Sequence, residues 1–511
     1  MNSNAADWFV DRHVNEGRTE KTAFREAWSG GRELSFGALA DQSGTVAAAF
    51  GTAGIRREER AAMFVLDQIE FPCIFWGALK AGVLPVALNT LLSTDVYRAI
   101  LEDCRASIAF VSAELLDVVL PAVLDSPHLR KIVVVGGKAP AGAIAWEEFI
   151  QGMEPQAAIA CSGDEIAFWL YSSGSTGNPK GVRHVHDALR VTCDTYGSQV
   201  LGIREDDTIF SAAKLFFAYG LGNGMSFPLS VGATALLFNA RPTPDSVTTI
   251  LQEYRPTMFC GVPTLYAALV HSWESEGAVP DAPLRICISA GEALPAEIGR
   301  KWKEVWNVDI MDGVGSTEML HIFLSNRPDD IEYGTSGIAV PGYEVRLVDE
   351  GGSDVDEGAI GELMVRGDSA AADYWNQRRK TRTTFEGEWT RTGDKYELGK
   401  GGRMIYCGRT DDMFKVSGIW VSPFEIEQAL MTHPDVLEAA VVARRDENEL
   451  EKPQAFVVLK DGRDTEDLSE LKDFVKEHIG KWKYPRWIDV VDELPKTATG
   501  KIQRFRLREM S

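Results

Sequence analysis

Several patterns are missing from this chain of 511 residues, and each absence removes a class of function. No CxxC pair occurs, and the seven cysteines are odd in number and widely spaced. Most lie inside apolar runs, so they read as buried free thiols, not as a disulfide framework. Of eight histidines only His184 and His186 lie close together, with no cysteine or carboxylate at zinc-ligand spacing. Positive charge is scarce: 53 lysines and arginines against 75 aspartates and glutamates give a net charge of −22. Such a chain repels nucleic acid and anionic membranes, so neither is expected as a partner. Long apolar runs are also missing. The longest, 71–88, is broken by Pro72, Lys80 and Pro85, and reads as a buried helix followed by a strand, not a membrane span. The opening residues show no basic segment or apolar core of a signal peptide, so a cytoplasmic location is expected. No Ser-His-Asp signature marks a covalent nucleophile.

What is present is ordinary globular material: 45% hydrophobic and 25% charged residues, in a length that supports more than one domain. Apolar strands alternate with helical patterns through the first 300 residues or so. Strands are predicted at 60–66, 82–87, 107–111, 131–135, 233–238, 258–261 and 284–289, with a helix at 70–80. Continuous apolar runs of this kind suit parallel strands buried on both faces. Between 343 and 408 the texture becomes alternating, around Glu350-Gly351-Gly352, as in antiparallel hairpins. After Asp411 the order is helix 423–431, strand 437–443, strand 455–459 and helix 468–479, a small α+β unit. The expected fold is therefore α/β: a large N-terminal domain, 1–410, with parallel βα sheets and a small antiparallel barrel-like subdomain, then a small α+β domain, 411–511.

Five segments carry chemistry. The first is Tyr171-Ser-Ser-Gly-Ser-Thr-Gly-Asn-Pro-Lys180-Gly181, entered from the apolar strand 166–170. Hydroxyls, backbone N–H groups and one ammonium in a glycine-bearing loop can wrap a polyphosphate. The Walker pattern needs Ser or Thr after its lysine, whereas Lys180 is followed by Gly181. The second is Asp312-Gly-Val-Gly-Ser-Thr-Glu318, where a carboxylate after a Gly-rich turn can hold Mg²⁺ at a phosphate. The third, Arg391-Thr-Gly-Asp394, offers a carboxylate at a strand end for ribose hydroxyls. The fourth, 408–418, supplies the cation Arg409, a charged junction at Asp411 and a Ser-Gly turn. The fifth is Pro495-Lys-Thr-Ala-Thr-Gly-Lys501, a mobile lysine able to reach a charge that develops during reaction. Each has a bland counterpart: a polar turn, a helix start or an exposed tail lysine.

Together and in this order, the five resemble the acyl-adenylate-forming superfamily of acyl-CoA synthetases, adenylation domains and luciferases. The resemblance spans nearly the whole chain. It implies ATP, Mg²⁺ and coenzyme A as cofactors and co-substrates. It places ATP on Ser172, Ser173, Gly174, Ser175, Thr176, Gly177 and Lys180, on Gly291 and Glu292 beside the adenine, and on Asp312, Thr317, Asp394, Arg409 and Lys501. It gives Glu318 to the metal, the hinge to Asp411, coenzyme A contacts to Ser417 and Gly418, and catalysis to Lys180, Thr317 and Lys501.

Four stretches, 214–223, 315–326, 415–423 and 496–504, look more narrowly like benzoate-CoA ligases. By that likeness Ala218, Tyr219, Gly315, His321 and Ile322 line an aryl pocket. Phe216, Phe217 and Tyr219 also offer flat apolar walls for a ring, although ordinary core aromatics would look the same. His321 is read as a donor to a carboxylate or a contact for a ring substituent. The expected activity is AMP-forming ligation of benzoate or a close relative to coenzyme A, by a monomer or homodimer. The alternative is an aryl adenylating enzyme that loads a carrier protein.

Overall fold

The structure, a computed structural model, describes residues 3–173, 179–276, 279–416, 419–447, 450–460, 468–480, 483–496 and 502–510. Two large sheets form its body. One runs in the order Asp373–Tyr374, Pro179–Val185, Ile166–Ser173, Leu84–Ala87, Arg60–Phe64, Ile108–Ser112, Lys131–Val135, Ile144–Ala145. From Ile166–Ser173 to Ile144–Ala145 the neighbours are parallel; the two strands at the other edge are antiparallel. The central strands Leu84–Ala87 and Ile108–Ser112 are buried at every position, as unbroken apolar runs require when helices cover both faces. Helix Glu70–Ala81 crosses between Arg60–Phe64 and Leu84–Ala87, so the run 71–88 is the predicted helix and strand. It lies tightly on helix Phe36–Thr52: a Cβ on Gly77 would sit 2.6 Å from Val46 Cβ.

The second sheet orders Ile338–Ala339, Ile322–Ser325, Ile310–Gly315, Ile286–Ser289, Met258–Gly261, Thr208–Ser211, Thr234–Leu237, Thr22–Glu26, Glu33–Ser35. Its middle is parallel and both ends are antiparallel. The predicted Gly-rich turn after Met311 is a correction here: Asp312 to Gly315 continue strand Ile310–Gly315. The glycines serve close strand approach, since a Cβ on Gly315 would lie 2.5 Å from the His321 carbonyl oxygen. The turn itself comes at 316–321.

A curled antiparallel sheet, Glu344–Val348, Ile360–Arg366, Trp389–Leu398 and Phe385–Glu386 with Met404–Arg409 beside Trp389–Leu398, forms the third layer. Asp394 lies inside its strand and not at an end, opposite Arg409. Beyond it stands the small C-terminal domain, with strands Val436–Arg445, Glu451–Leu459 and Trp487–Val490 and helices Pro423–Met431 and Ser469–Ile479. Its apolar clusters draw only on residues from 414 onward. Helix Pro423–Met431 starts as chemistry dictates: Ser422 Oγ accepts from Glu425 N, and Pro423 fills the first turn. All seven cysteines are free and buried. Among the described residues no helix is long and apolar enough to cross a membrane.

Candidate active site

The strand pair Ile166–Ser173 and Pro179–Val185 sets Ser172 opposite Lys180, so the sheet's edge delivers both arms of the glycine-bearing loop. Lys180 Nζ lies 3.4 Å from Glu318 Oε1, and the two side chains are only 11% and 15% exposed. Tyr374 completes the group. Its hydroxyl donates to Glu318 Oε1 at 2.7 Å, and its ring lies under the Lys180 ammonium at 4.6 Å. Burial lowers the Lys180 pKa while Glu318 opposes that fall. For Glu318 burial raises the pKa, but Lys180 and the Tyr374 hydroxyl outweigh it and hold the carboxyl below its usual range. The carboxylate is thus kept ionised beside the phosphate-binding arm.

Chain geometry aims this carboxylate. Met319 N donates to Ser316 Oγ at 3.1 Å and Leu320 N to the Thr317 carbonyl at 3.2 Å. Leu320 takes φ of 66°, a left-handed conformation that a leucine adopts only when its surroundings impose it. The sharp reversal sends Glu318 toward Lys180 and His321 into an aromatic cluster three residues later. One ionised carboxylate is enough for Mg²⁺ where phosphate oxygens and water supply its other ligands. Among the described residues there is no group of three or more metal-binding side chains, so the donor set fits a nucleotide-borne cation and not a closed protein cage.

In the curled sheet, Arg409 Nη1 donates to Asp394 Oδ1 at 2.9 Å and to the Thr392 carbonyl at 3.2 Å. Asp394 raises the Arg409 pKa, and Arg409 in turn acts electrostatically on Lys180 and Tyr374. The structure therefore brings these two segments to one site. Gly291, at φ of 98°, turns the chain after strand Ile286–Ser289. Glu292 Oε1 there accepts from Ile502 N at 3.3 Å, a contact made by the residue after Lys501. Asp312 is buried, its pKa raised well above the carboxylate range by burial, and its Oδ1 has no partner.

A second cluster is built around His321. Its ring is 3% exposed and lies 4.5 Å from Phe227, 5.4 Å from Tyr196 and 5.8 Å from Tyr219, centroid to centroid. A Cβ on Gly222 would fall 2.3 Å from His321 Cδ2, so that glycine makes room for the ring. Tyr219 lies in the first turn of the short helix Ala218–Leu221, and its one hydroxyl proton is shared between the carbonyls of Ile288 at 3.0 Å and Gly261 at 3.2 Å. Ala218 is half-buried beside it, and Ile322 is buried opposite Gly315. Burial pushes the His321 pKa down to about 3. Its Nε2 faces the Tyr219 carbonyl at 3.4 Å, which assigns the proton to Nε2 and leaves Nδ1 a buried acceptor without a partner. Its N–H is thus engaged with the Tyr219 carbonyl, and the other nitrogen is an acceptor without a partner among the described residues.

Gly174, Ser175, Thr176, Gly177, Ser417, Gly418 and Lys501 lie outside the described residues, as does the side chain of Ser173. Asp411 is exposed in the turn between strands Met404–Arg409 and Phe414–Val416. Two contributors escaped the sequence reading. Tyr374 carries no motif; the aromatic pair Tyr374-Trp375 is the one local signal. Tyr196 sits in an unremarkable helical stretch, 193–200.

Parallel βα sheets, a curled antiparallel layer, a small mixed C-terminal domain and a phosphate arm meeting one carboxylate define an adenylate-forming enzyme. The family described as AMP-binding enzyme matches residues 10–375, and its C-terminal domain matches 425–501. The chain belongs to the AMP-binding enzyme family. It is 52% identical to a 4-hydroxybenzoate--CoA/benzoate--CoA ligase of Rhodopseudomonas palustris over 99% of this chain and 94% of that one. It is 50% identical to a benzoate--CoA ligase of Thauera aromatica over 99% and 95%. The crystal structure of a benzoate CoA ligase from Burkholderia xenovorans LB400 superposes with a TM-score of 0.91 at 47% identity, covering 99% of this chain and all of the other.

Proposed function

We propose that this chain is an AMP-forming aryl acid:coenzyme A ligase that activates benzoate or a close substituted benzoate. The observation that carries the reading is full-length similarity of about 50% to benzoate-CoA ligases, joined to a Lys180–Glu318–Tyr374 cluster one sharp turn from the His321 aromatic cluster. Incubation with ATP, Mg²⁺, benzoate and coenzyme A yields AMP and benzoyl-CoA in equal amounts. AMP release without a coenzyme A thioester, restored by an acyl carrier protein, would move the protein to the carrier-loading class. A cytoplasmic monomer or homodimer that acts without nucleic acid or membrane belongs to the same reading.

The chemistry is ATP-dependent ligation of an aryl acid to coenzyme A through an acyl-AMP. A carboxylate oxygen of the acid attacks the α-phosphorus and pyrophosphate leaves; the coenzyme A thiol then displaces AMP from the mixed anhydride. Lys180 offsets charge on the phosphoryl oxygens, and Thr317 with the serines and glycines of 172–177 orients them. Glu318 would hold Mg²⁺, whose charge neutralises the polyphosphate. Asp394 and Arg409 grip the ribose side, Gly291, Glu292 and Asp312 the adenine side, and Lys501 stabilises the adenylation transition state. Ala218, Tyr219, Gly315, His321 and Ile322 shape the aryl pocket, and Ser417 and Gly418 meet the pantetheine.

Lys501 and the incoming thiol compete for one approach, so the domain 411–511 rotates about Asp411 relative to 1–410. Asp411 is solvent-exposed in the turn between strands Met404–Arg409 and Phe414–Val416. Asp411→Pro fixes φ. It slows thioester formation roughly tenfold more than adenylation, measured as benzoyl-AMP consumption against ATP–pyrophosphate exchange. Equal losses in both would remove the hinge.

The unpaired Nδ1 of His321 sets selectivity. A ring hydroxyl or amino group brings a donor to that acceptor, whereas unsubstituted benzoate leaves it unpaired. His321→Leu therefore costs 4-hydroxybenzoate about 1–3 kcal/mol of kcat/KM relative to benzoate. A fall shared by both acids would show that His321 acts on packing alone. With its pKa near 3, the ring is neutral in wild type throughout pH 6–9, and the selectivity ratio is flat there.

A further inference from the structure

Immediately after Tyr374 the acidic surface changes sign. Helix Arg378–Thr384 carries Arg378, Arg379, Lys380 and Arg382 within five positions. The segment 376–383 borders a shallow, open depression of about 440 Å³ lined by Asn376, Gln377, Arg378, Arg379, Lys380 and Thr383. In a chain of net charge −22, these four cations form no ion pair among the described residues. The carboxylates nearest in sequence are committed elsewhere: Asp373 to Arg183, Glu386 to Arg391 and Glu388 to Arg366. Four adjacent cations, three of them solvent-exposed, raise the local positive potential and so attract an anion.

The cluster is fixed to the active site. Tyr374 N donates to Thr381 Oγ1 at 3.1 Å, and Thr381 N donates to the Gln377 carbonyl at 2.9 Å. The same Tyr374 holds Glu318 through its hydroxyl and carries Lys180 over its ring. Strand Asp373–Tyr374 pairs with Pro179–Val185, the strand that bears Lys180. Lys380 is close enough to contribute to the lowered pKa of Lys180. The cations thus continue the positive field of the phosphate arm outward to solvent.

We propose that the depression beside helix Arg378–Thr384 is a polyphosphate-binding vestibule: Arg378, Arg379 and Lys380 draw the β- and γ-phosphates of ATP toward Lys180 and hold inorganic pyrophosphate as it departs. Guanidinium forks suit this task, because they bind phosphate oxygens in pairs while remaining weakly hydrated. The overall field repels a polyanion, so a local cationic funnel is where association speed can be recovered. The idea rests on the adenylation reading, since only that chemistry releases pyrophosphate here.

The test compares wild type with the triple variant Arg378→Gln, Arg379→Gln, Lys380→Gln. Calorimetric titration with inorganic pyrophosphate alone shows a Kd raised about tenfold or more in the variant. Pyrophosphate inhibition of benzoate-dependent AMP release weakens in parallel, while KM for benzoate and for coenzyme A stay at wild-type values. An unchanged Kd for pyrophosphate overturns the proposal. So does a raised KM for coenzyme A with unchanged pyrophosphate binding, which would give the patch to the phosphates of coenzyme A. The Lys380→Gln single variant, with a smaller rise of the same kind, guards against loss of fold. Absence of ligase activity in wild type would sink the adenylation reading, yet the calorimetric arm would still report on pyrophosphate binding.

Discussion

Glu318→Gln lowers ATP–pyrophosphate exchange by about 10²–10³-fold, the scale of one preorganised charge in a buried site, and makes the residual rate depend on far higher Mg²⁺. The amide keeps the shape and still accepts from the Tyr374 hydroxyl, now 2.7 Å from the carboxylate oxygen, so the fold persists. What it loses is charge. Glu318 is held ionised by Lys180 and Tyr374 against burial, and an amide cannot neutralise a cation. Lys180 suffers as well. Burial already lowers its pKa, and Glu318 is the largest opposing influence. With that carboxylate gone the pKa falls further. The active form is the ammonium, so the alkaline limb of the pH–rate profile moves to lower pH. A variant with wild-type Mg²⁺ dependence and an unmoved alkaline limb would remove Glu318 from the metal and from Lys180. Reaction of preformed benzoyl-AMP with coenzyme A needs no triphosphate and is spared.

How far the sequence reading reached follows from the range of the forces involved. Strand Lys131–Val135 and helix Pro423–Met431 were legible to the residue, because burial on both faces and a Ser-Pro cap leave local signatures. The candidate site was legible as five segments whose order resembles a family. It was not legible as geometry. Tyr374 meets Glu318 across 56 positions, and no local pattern announces such a pair. Asp312–Gly315 read as a turn because glycine favours turns; it is strand because those glycines admit the neighbouring strand's backbone. The tautomer of His321 depends on one carbonyl, that of Tyr219, 102 positions away. The unpaired cations of 378–382 were visible as residues, but their isolation from carboxylates emerges only when every nearby partner is accounted for.

Lys501→Ala separates the two half-reactions more sharply than any other single change. The resemblance to acyl-CoA synthetases assigns Lys501 to adenylation alone, and one structural contact supports its reach. Ile502, the next residue, donates its N–H to Glu292 Oε1, on the loop that follows strand Ile286–Ser289 and leads toward the buried Asp312. The segment is further organised by a bridge between Lys496 and Ile502. This is a contact between the small domain and the loop of the large one that bears Glu292. Under the two-step mechanism proposed above, adenylation uses such a contact and the thiol step requires its release, so the lysine is assigned no part in the second step. Alanine therefore reduces pyrophosphate exchange about 10²–10³-fold by removing one charge aimed at the transition state, while preformed benzoyl-AMP reacts with coenzyme A at a rate within about twofold of wild type. ATP affinity changes little, because a group that acts on developing charge contributes mainly to kcat. Normal exchange in the variant would free Lys501 of its role. Equal loss in both half-reactions would mean that residues 495–504 hold the small domain in place, and that Glu292 and Ile502 form a structural latch and not a catalytic approach.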